Sequence, residues 1–495
     1  MLTSFFFSIL LLAPALQGVW DFRTQFVFEA AVFLTGGFWL FREAMSGRTP
    51  AFLYENRNLP LLGAAFFSGL AAALSPVRAL VMPEWQLFCA GLFILALGGS
   101  LKAGGLLYSD LALRISAWFL ALLSLYQAFI LKNSDVSASF SNPNSLALFI
   151  LMLLPLAVKW KDLFLLCALL VALALTRSEA ALLAGLVAAG FYAWDKMKAG
   201  DLKKRWWLLP ALVAAAALAV SQIEPRSVLD RLNWWRAALA MFADHPALGF
   251  GPGSFAYVYP AYHTPMTGGV ATVYAHNYYL EFLAENGSFA FFFWAWAVAA
   301  RLKDIRGLKK YALIAALAHS TADFGLAVPA NFFVFCYLLG VPASGPEKRP
   351  PGGTAPAARR EKKAAVFLAV LGLACFAAVC GVFVSQLKLE RLRARALAAL
   401  SAGDYSLAEA ELEAAARLAP ENPFVPRLLG RLRMRAAGGK KDSGLLFPAA
   451  VELERAVLLL PSNFGAWRDL ERLYADAGER RLLEGLRKRR TEVFR

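Results

Sequence analysis

The chain has 495 residues, 59% of them hydrophobic and only 17% charged, with a mean hydropathy of +0.52. That apolar share is well above a soluble domain's, which excludes a simple soluble enzyme. The net charge of +16 does not read as a nucleic-acid footprint, because the basic residues cluster in short loops between apolar runs, the pattern that holds loops in the cytoplasm.

Apolar runs predict helices near 3–19, 24–41, 59–76, 84–101, 112–131, 145–158, 163–176, 179–194, 206–221, 287–302, 310–327, 329–343 and 364–386. The implied fold class is all-α: a polytopic transmembrane helical bundle of about twelve core spans plus one, followed by a C-terminal α-helical repeat domain. Residues 1–18 lack the positive start of a secretory signal and read as the first span.

Loop charges orient the bundle. Arg42, Arg48 and Arg57 follow the second predicted span, and Lys159 and Lys161 the sixth. Lys196, Lys198, Lys203, Lys204 and Arg205 follow the eighth, and Arg301, Lys303, Arg306, Lys309 and Lys310 the tenth. Lys348, Arg349, Arg359, Arg360, Lys362 and Lys363 follow the twelfth. All fall on one side if the count holds, and the positive-inside rule makes that side cytoplasmic. The N-terminus is then cytoplasmic and the 222–286 loop extracytoplasmic.

The core is expected to occupy 1–343 and a basic Pro/Gly-rich cytoplasmic linker 344–363. A further span at 364–386 carries 387–495 to the outer side, although Lys388, Arg391 and Arg393 just after it pull the other way. In the tail, Ala408, Leu412, Ala415 and Pro420 recur as Ala449, Leu453, Ala456 and Pro461 at identical spacing. Small residues at these offsets let paired helices pack closely, a pattern that resembles the tetratricopeptide repeat. The alternative is a generic Ala/Leu-rich helical hairpin. All five cysteines (Cys89, Cys167, Cys336, Cys375 and Cys380) sit in apolar runs without metal-ligand spacing.

The chemistry-bearing residues gather around the long polar stretch. It holds His245, His263 and His276 together with Arg226, Arg231 and Arg236. The run from Asp230 to Arg236 opens an amphipathic helix whose tryptophans suit a membrane–water interface. An arginine there would lie at headgroup level, where its donor fork fits phosphate oxygens. His276 and Asn277 stand where a water-facing loop meets the next apolar helix, and histidine is the residue type that exchanges a proton near neutral pH. His319 and Asp323, four apart, are expected on one face of the 310–327 helix, as a functional pair or as a structural lock between helices. His276 could equally be a helix anchor and Arg231 an interfacial one.

In order, Phe140 to Ala147 with its Asn-Pro-Asn, Arg231 with Trp235 and Arg236, His245-Pro246 through Gly253, His276-Asn277 with Tyr279, Leu280, Leu283, Glu285 and Gly287, and His319-Ser320 with Asp323 resemble the O-antigen ligase and O-antigen polymerase superfamily of bacterial membrane glycosyltransferases. The likeness covers roughly 1–343. It implies transfer of a glycan from a polyprenyl pyrophosphate, undecaprenyl in the usual case, to a hydroxyl acceptor on lipid A–core, a second glycan or a protein. It implies His276 as general base with Asn277 orienting it, Arg231 and then Arg236 on the pyrophosphate, and inversion at the anomeric carbon without cofactor or metal. Asn144, His319 and Asp323 would support the site. The resemblance also implies the bacterial inner membrane, and the exported repeats suggest a protein partner.

One departure stands out. The family carries an arginine where this chain has Glu179, in the run Thr176-Arg177-Ser178-Glu179. Arg177 is two positions early, which on a helix turns its side chain by roughly 200°, so it serves as a substitute only if that helix end is unwound. Outside the enzyme class, a transporter would require internal inverted symmetry that the sequence lacks, and a non-catalytic scaffold would tolerate loss of His276.

Overall fold

The computed structural model describes residues 1–46, 58–198, 225–262, 272–341, 355–437 and 443–494. The predicted 206–221 span, His263, Lys203, Lys204 and Arg205, Arg48 and Arg57, and most of the 344–363 linker lie outside the described residues. The described chain is all-helical, without strands.

The helices, in chain order, are α1 (Leu2–Ala15), α2 (Phe22–Met45), α3 (Leu59–Leu74), α4 (Arg78–Gly98), α5 (Ala103–Leu125), α6 (Pro143–Lys159), α7 (Leu163–Leu175) and α8 (Glu179–Lys198). Then come α9 (Pro225–Asp244), the short α10 (Phe255–Val258), α11 (Tyr278–Leu302), α12 (Leu308–His319) and α13 (Pro329–Gly340). The tail contributes α14 (Ala355–Ser401), α15 (Tyr405–Leu418), α16 (Phe424–Ala436), α17 (Ser443–Leu459), α18 (Phe464–Ala477) and α19 (Arg480–Val493).

Among the described residues, four segments are long and apolar enough to cross a membrane: 22–45, 78–98, 103–130 and 363–401. Five shorter apolar helices, α1, α3, α6, α7 and α13, run 12 to 17 residues. At 1.5 Å per residue these fall short of the ~30 Å hydrocarbon layer. Length and composition thus single out four spans among the described residues, and the count of about twelve core spans plus one does not follow from helix length. Several helices are instead interrupted inside the bundle, where neighbouring protein satisfies the freed backbone groups.

Two interruptions matter for the site. The predicted 310–327 helix stops at His319, and Ser320 to Val328 form turns before α13 starts at Pro329. His319 and Asp323 therefore do not share a helix face, which corrects the expectation drawn from their spacing. The second break is inside α11 at Gly287, with φ 69° and ψ 178°. The break frees carbonyls of the preceding turn, and the 246–251 loop caps them. Phe250 and Gly251 donate their N–H groups to the Ala284 and Glu285 carbonyls at 3.1 and 2.7 Å, and Ser288 donates to the Pro246 carbonyl at 2.9 Å. The backbones approach so closely that a Cβ on Gly287 would sit 2.2 Å from the Ala247 carbonyl oxygen.

The core helices bury one continuous apolar cluster running from Leu2 to Val379. α14 begins at Ala355, so the last part of the predicted linker is already helical, and it continues without a break past the expected boundary at 386 to Ser401. It lies along α2, with Phe26 and Phe383 stacked at 3.7 Å and Gly37 against Gly372. Small residues at that crossing let the two backbones meet, the usual way apolar helices associate in lipid.

The tail packs as successive helices. Ala408, Leu412, Ala415, Ala449, Leu453 and Ala456 are all buried. Arg433 joins three of the helices by ion pairs to Glu409 (2.6 Å), Glu413 (2.8 Å) and Glu452 (3.3 Å). The tail also seats on the core. Leu460 and Phe424 pack with Val77, Val81 and Tyr257, and Arg78 pairs with Glu421.

Candidate active site

His276 is held in an unusual backbone. Its φ is 50°, in the left-handed region that non-glycine residues seldom occupy. Such strain persists only where surrounding contacts over-determine it. The neighbours supply those contacts. Asn277 caps α11, its side-chain oxygen accepting the N–H groups of Tyr279 and Leu280 at 3.1 Å each. Tyr278 donates its N–H to the Ser320 carbonyl at 2.9 Å, and the buried Glu281 carboxylate accepts the Ala275 N–H at 2.6 Å.

The turns after α12 bring Asp323 to the imidazole. Asp323 is fully buried, and its Oδ2 lies 3.3 Å from His276 Nδ1. The same oxygen accepts from Asn144 Nδ2 at 2.9 Å, and Oδ1 accepts the Gly325 N–H at 2.9 Å. Asn144 is presented at the start of α6, where the Asn142 side chain accepts its N–H at 2.7 Å and Pro143 fits the first turn. Three segments far apart in sequence thus converge on one carboxylate. The expectation had Asn277 beside the imidazole; its oxygen is turned to the helix, and Asp323 makes the contact.

The imidazole is boxed by rings. Trp234 on α9 stacks on it at 4.8 Å between centroids and 27° between planes. Phe324 meets it edge-on at 5.0 Å. Trp234 and Arg231 are three apart on α9 and so lie on one face, which brings the Arg231 guanidinium to the His276 side. Arg231 is half-buried and its Nη1 lies 3.6 Å from Glu179 Oε2, at the N-terminus of α8.

Arg177 occupies the turn between α7 and α8 with φ 52°, so the helix end is unwound and the helical-wheel objection to it falls away. Its side chain is exposed and forms no ion pair among the described residues. Arg236 is exposed on α9. His319 is wholly buried at the end of α12, with neither ring nitrogen hydrogen-bonded among the described residues, and its ring abuts Gly325. His245 stacks edge-on against Phe250 at 4.3 Å, in the loop that caps the α11 break.

A cavity of about 190 Å³ lies on the other side of the Ala275–Tyr278 segment. Glu84, Glu281, Glu285, Tyr257, Tyr274 and Asn286 are among its walls. Burial first, and the Glu84 carboxylate second, push the Tyr257 phenol above its ordinary value. Sequence reading named Glu285 only within a family motif and passed over Glu84 and Glu281. The signal available was Glu281 and Glu285 four apart on an otherwise apolar helix, a costly placement unless something uses it.

A family model described as O-antigen ligase matches residues 163–295. The match begins with α7 and ends inside α11, so it takes in Arg177, Glu179, Arg231, Arg236, His276 and Asn277, and stops short of His319, Asp323 and the tail. Among curated proteins no match was found. Residues 163–295 are thus similar to the O-antigen ligase family, and the apolar helices around them are those of a membrane protein.

Proposed function

We propose that the protein is an inverting membrane glycosyltransferase that moves a glycan from a polyprenyl pyrophosphate, undecaprenyl in the first instance, to a hydroxyl acceptor. The observation that carries this reading is the buried Asp323 carboxylate on His276 Nδ1, with Arg231 on the same helix face as the tryptophan that covers the imidazole.

A carboxylate at Nδ1 keeps the proton on that nitrogen and leaves Nε2 as the base, the logic of acid–base pairs on unrelated folds. The acceptor hydroxyl gives its proton to His276 Nε2 as its oxygen attacks the anomeric carbon. The bond from that carbon to the pyrophosphate oxygen breaks, and the electron pair leaves with the lipid pyrophosphate. One displacement gives inversion. Asp323 then faces the imidazolium, and Asn144 holds Asp323.

The leaving group gains negative charge in the transition state, so fixed cations there lower the barrier. Arg231 takes that role first, with Arg236 and Arg177 contributing from the flanks, and no metal or organic cofactor is required. The N-terminus of α8 adds backbone N–H groups favourable to an anion, while Glu179 beside Arg231 opposes it and tempers donor affinity. His319 and Asn144 act in support. The reading places the site on the outer face of the bacterial inner membrane, with the N-terminus inside and the tetratricopeptide-like tail outside.

The acceptor is lipid A–core, a second lipid-linked glycan (polymerase) or a protein hydroxyl. The test is transfer by purified protein from undecaprenyl-pyrophosphate-linked glycan to each acceptor in parallel, read by mass spectrometry. The reading predicts one competent acceptor and loss of transfer in His276→Ala. Unchanged transfer in that variant would remove the base from the scheme.

A further inference from the structure

The cavity behind His276 is separated from the imidazole by two rings. Tyr274, in its wall, stacks face to face on Phe324 at 4.2 Å, and Phe324 meets His276 edge-on at 5.0 Å. Its polar groups are not used up by the fold. Glu281 is 4% exposed and spends Oε2 on the Ala275 N–H, while Oε1 makes no hydrogen bond among the described residues. Asn286 is 3% exposed and spends its oxygen on the Ser68 hydroxyl, leaving its amide N–H groups unused. Glu84 is half-buried and makes no hydrogen bond among the described residues. Carboxyl groups held out of bulk water with spare acceptor oxygens are costly unless a donor comes to them.

We propose that this cavity binds a sugar ring of the acceptor, and that the C-terminal helices hold its outer wall. The inference rests on the glycosyltransferase reading above. The lining matches an uncharged sugar: the carboxyl groups exchange hydrogen bonds with ring hydroxyls, and the tyrosines Tyr257, Tyr274 and Tyr278 offer apolar surface to the C–H side of a ring. Among the described residues the lining offers a phosphate no cation, so the pyrophosphate goes to the Arg231 side and the acceptor to the Glu84 side. A volume of about 190 Å³ has room for one ring. Among the described residues no cluster has the makings of a metal site.

The tail reaches the cavity through Tyr257. Phe424 packs against the Tyr257 ring at 6.2 Å, and the Ser462 hydroxyl donates to the Tyr257 carbonyl. Arg78, at the start of the helix that carries Glu84, is tied to Glu421. All three contacts come from the turns that join tail helices or from the helix start beside one, so the tail is a positioning element for acceptor recognition.

The test varies acceptor and donor separately in full-length Glu84→Ala, Glu84→Gln and Phe424→Ala, with lipid A–core as acceptor. Binding of lipid-free core oligosaccharide is measured by calorimetry on the same proteins without donor. Glu84→Ala is expected to raise the acceptor KM roughly tenfold, the effect of losing a hydrogen-bonding side chain held out of bulk water. Glu84→Gln should recover part of the loss, and Phe424→Ala should raise the acceptor KM several-fold. The donor KM should stay within twofold in all three. An unchanged acceptor KM in Glu84→Ala, a parallel rise in donor KM, or binding of a serine-containing peptide in place of the oligosaccharide would overturn the assignment. Oligosaccharide binding that depends on Glu84 in a protein that transfers to nothing would keep the site and discard the reaction.

Discussion

Replacing Asp323 by Asn removes one charge from a site where nothing else can replace it. Asp323 is fully buried, so its carboxylate is not screened by water, and it contacts His276 Nδ1 at 3.3 Å. A hydrogen bond to a charged group contributes about 1.5–3 kcal/mol. If that term is spent on the imidazolium in the transition state, its loss lowers kcat about 10- to 150-fold. The amide adds a second fault. Asn144 Nδ2 already donates to Oδ2 and the Gly325 N–H to Oδ1, so whichever way the Asn turns, its NH2 faces a donor. The variant keeps the residue's volume, and thermal unfolding with gel filtration should confirm a folded protein. The assay is steady-state transfer with donor and acceptor varied separately, in Asp323→Asn, His276→Ala and the double variant. A residue that works through His276 has nothing left to act on once the imidazole is gone, so the double variant should match His276→Ala. A kcat for Asp323→Asn within threefold of wild type, or a double variant clearly worse than His276→Ala, would refute the pairing as a catalytic element.

Other outcomes follow from the same geometry. Asn144→Ala leaves Asp323 Oδ2 with His276 alone, and loss of a bond worth about 1 kcal/mol should lower kcat roughly fivefold with donor KM unchanged, read in the transfer assay. Glu179→Gln removes the carboxylate 3.6 Å from Arg231, and donor KM should fall about two- to fivefold, the scale of a partly exposed ion pair. Gly287→Ala forces a Cβ against the Ala247 carbonyl at φ 69°, a strain of about 1–3 kcal/mol or more, and should lower the melting temperature by several degrees in detergent; an unchanged value would mean the break is not held as described. In the tail, the Arg487 hydrogen bond holds Glu471 below the usual carboxylate range. A depressed carboxylate stabilises the fold above its unfolded pKa and loses that contribution as pH falls through its folded pKa. Limited proteolysis of α19 should therefore speed up as pH drops into that acid range, and Glu471→Gln should abolish the difference.

Much of the site could be read from residue order. The interfacial run around Arg231, the His276-Asn277 junction and the Asn142-Pro143-Asn144 start of α6 are local signals, and each sits where local rules put it: an amphipathic face, a cap, a proline-started helix. What misled was continuity of hydrophobicity. The 310–327 run reads as one helix because apolar residues recur along it, yet the chain turns at Ser320 to deliver Asp323. In a bundle of this kind an apolar run says that a segment is buried, not that it is regular. The Gly287 break had a visible glycine but no visible partner, since the loop that caps it lies some forty positions upstream. Helix length follows the same logic, because it is set by where neighbours cap a break and not by where apolarity ends.

Composition and local pattern by themselves determined that this chain is helical, membrane-embedded and equipped with imidazole and guanidinium groups beside the long polar stretch. Only the tertiary structure decided that Asp323, and not Asn277, touches the imidazole, that Glu179 faces Arg231, and that acids and tyrosines from distant segments line one cavity. Those pairings join segments from α4 to the C-terminal helices. Hydrophobic periodicity constrains a residue against its helix neighbours, whereas the partner of a buried charge is set by which distant segment can satisfy it once water is gone.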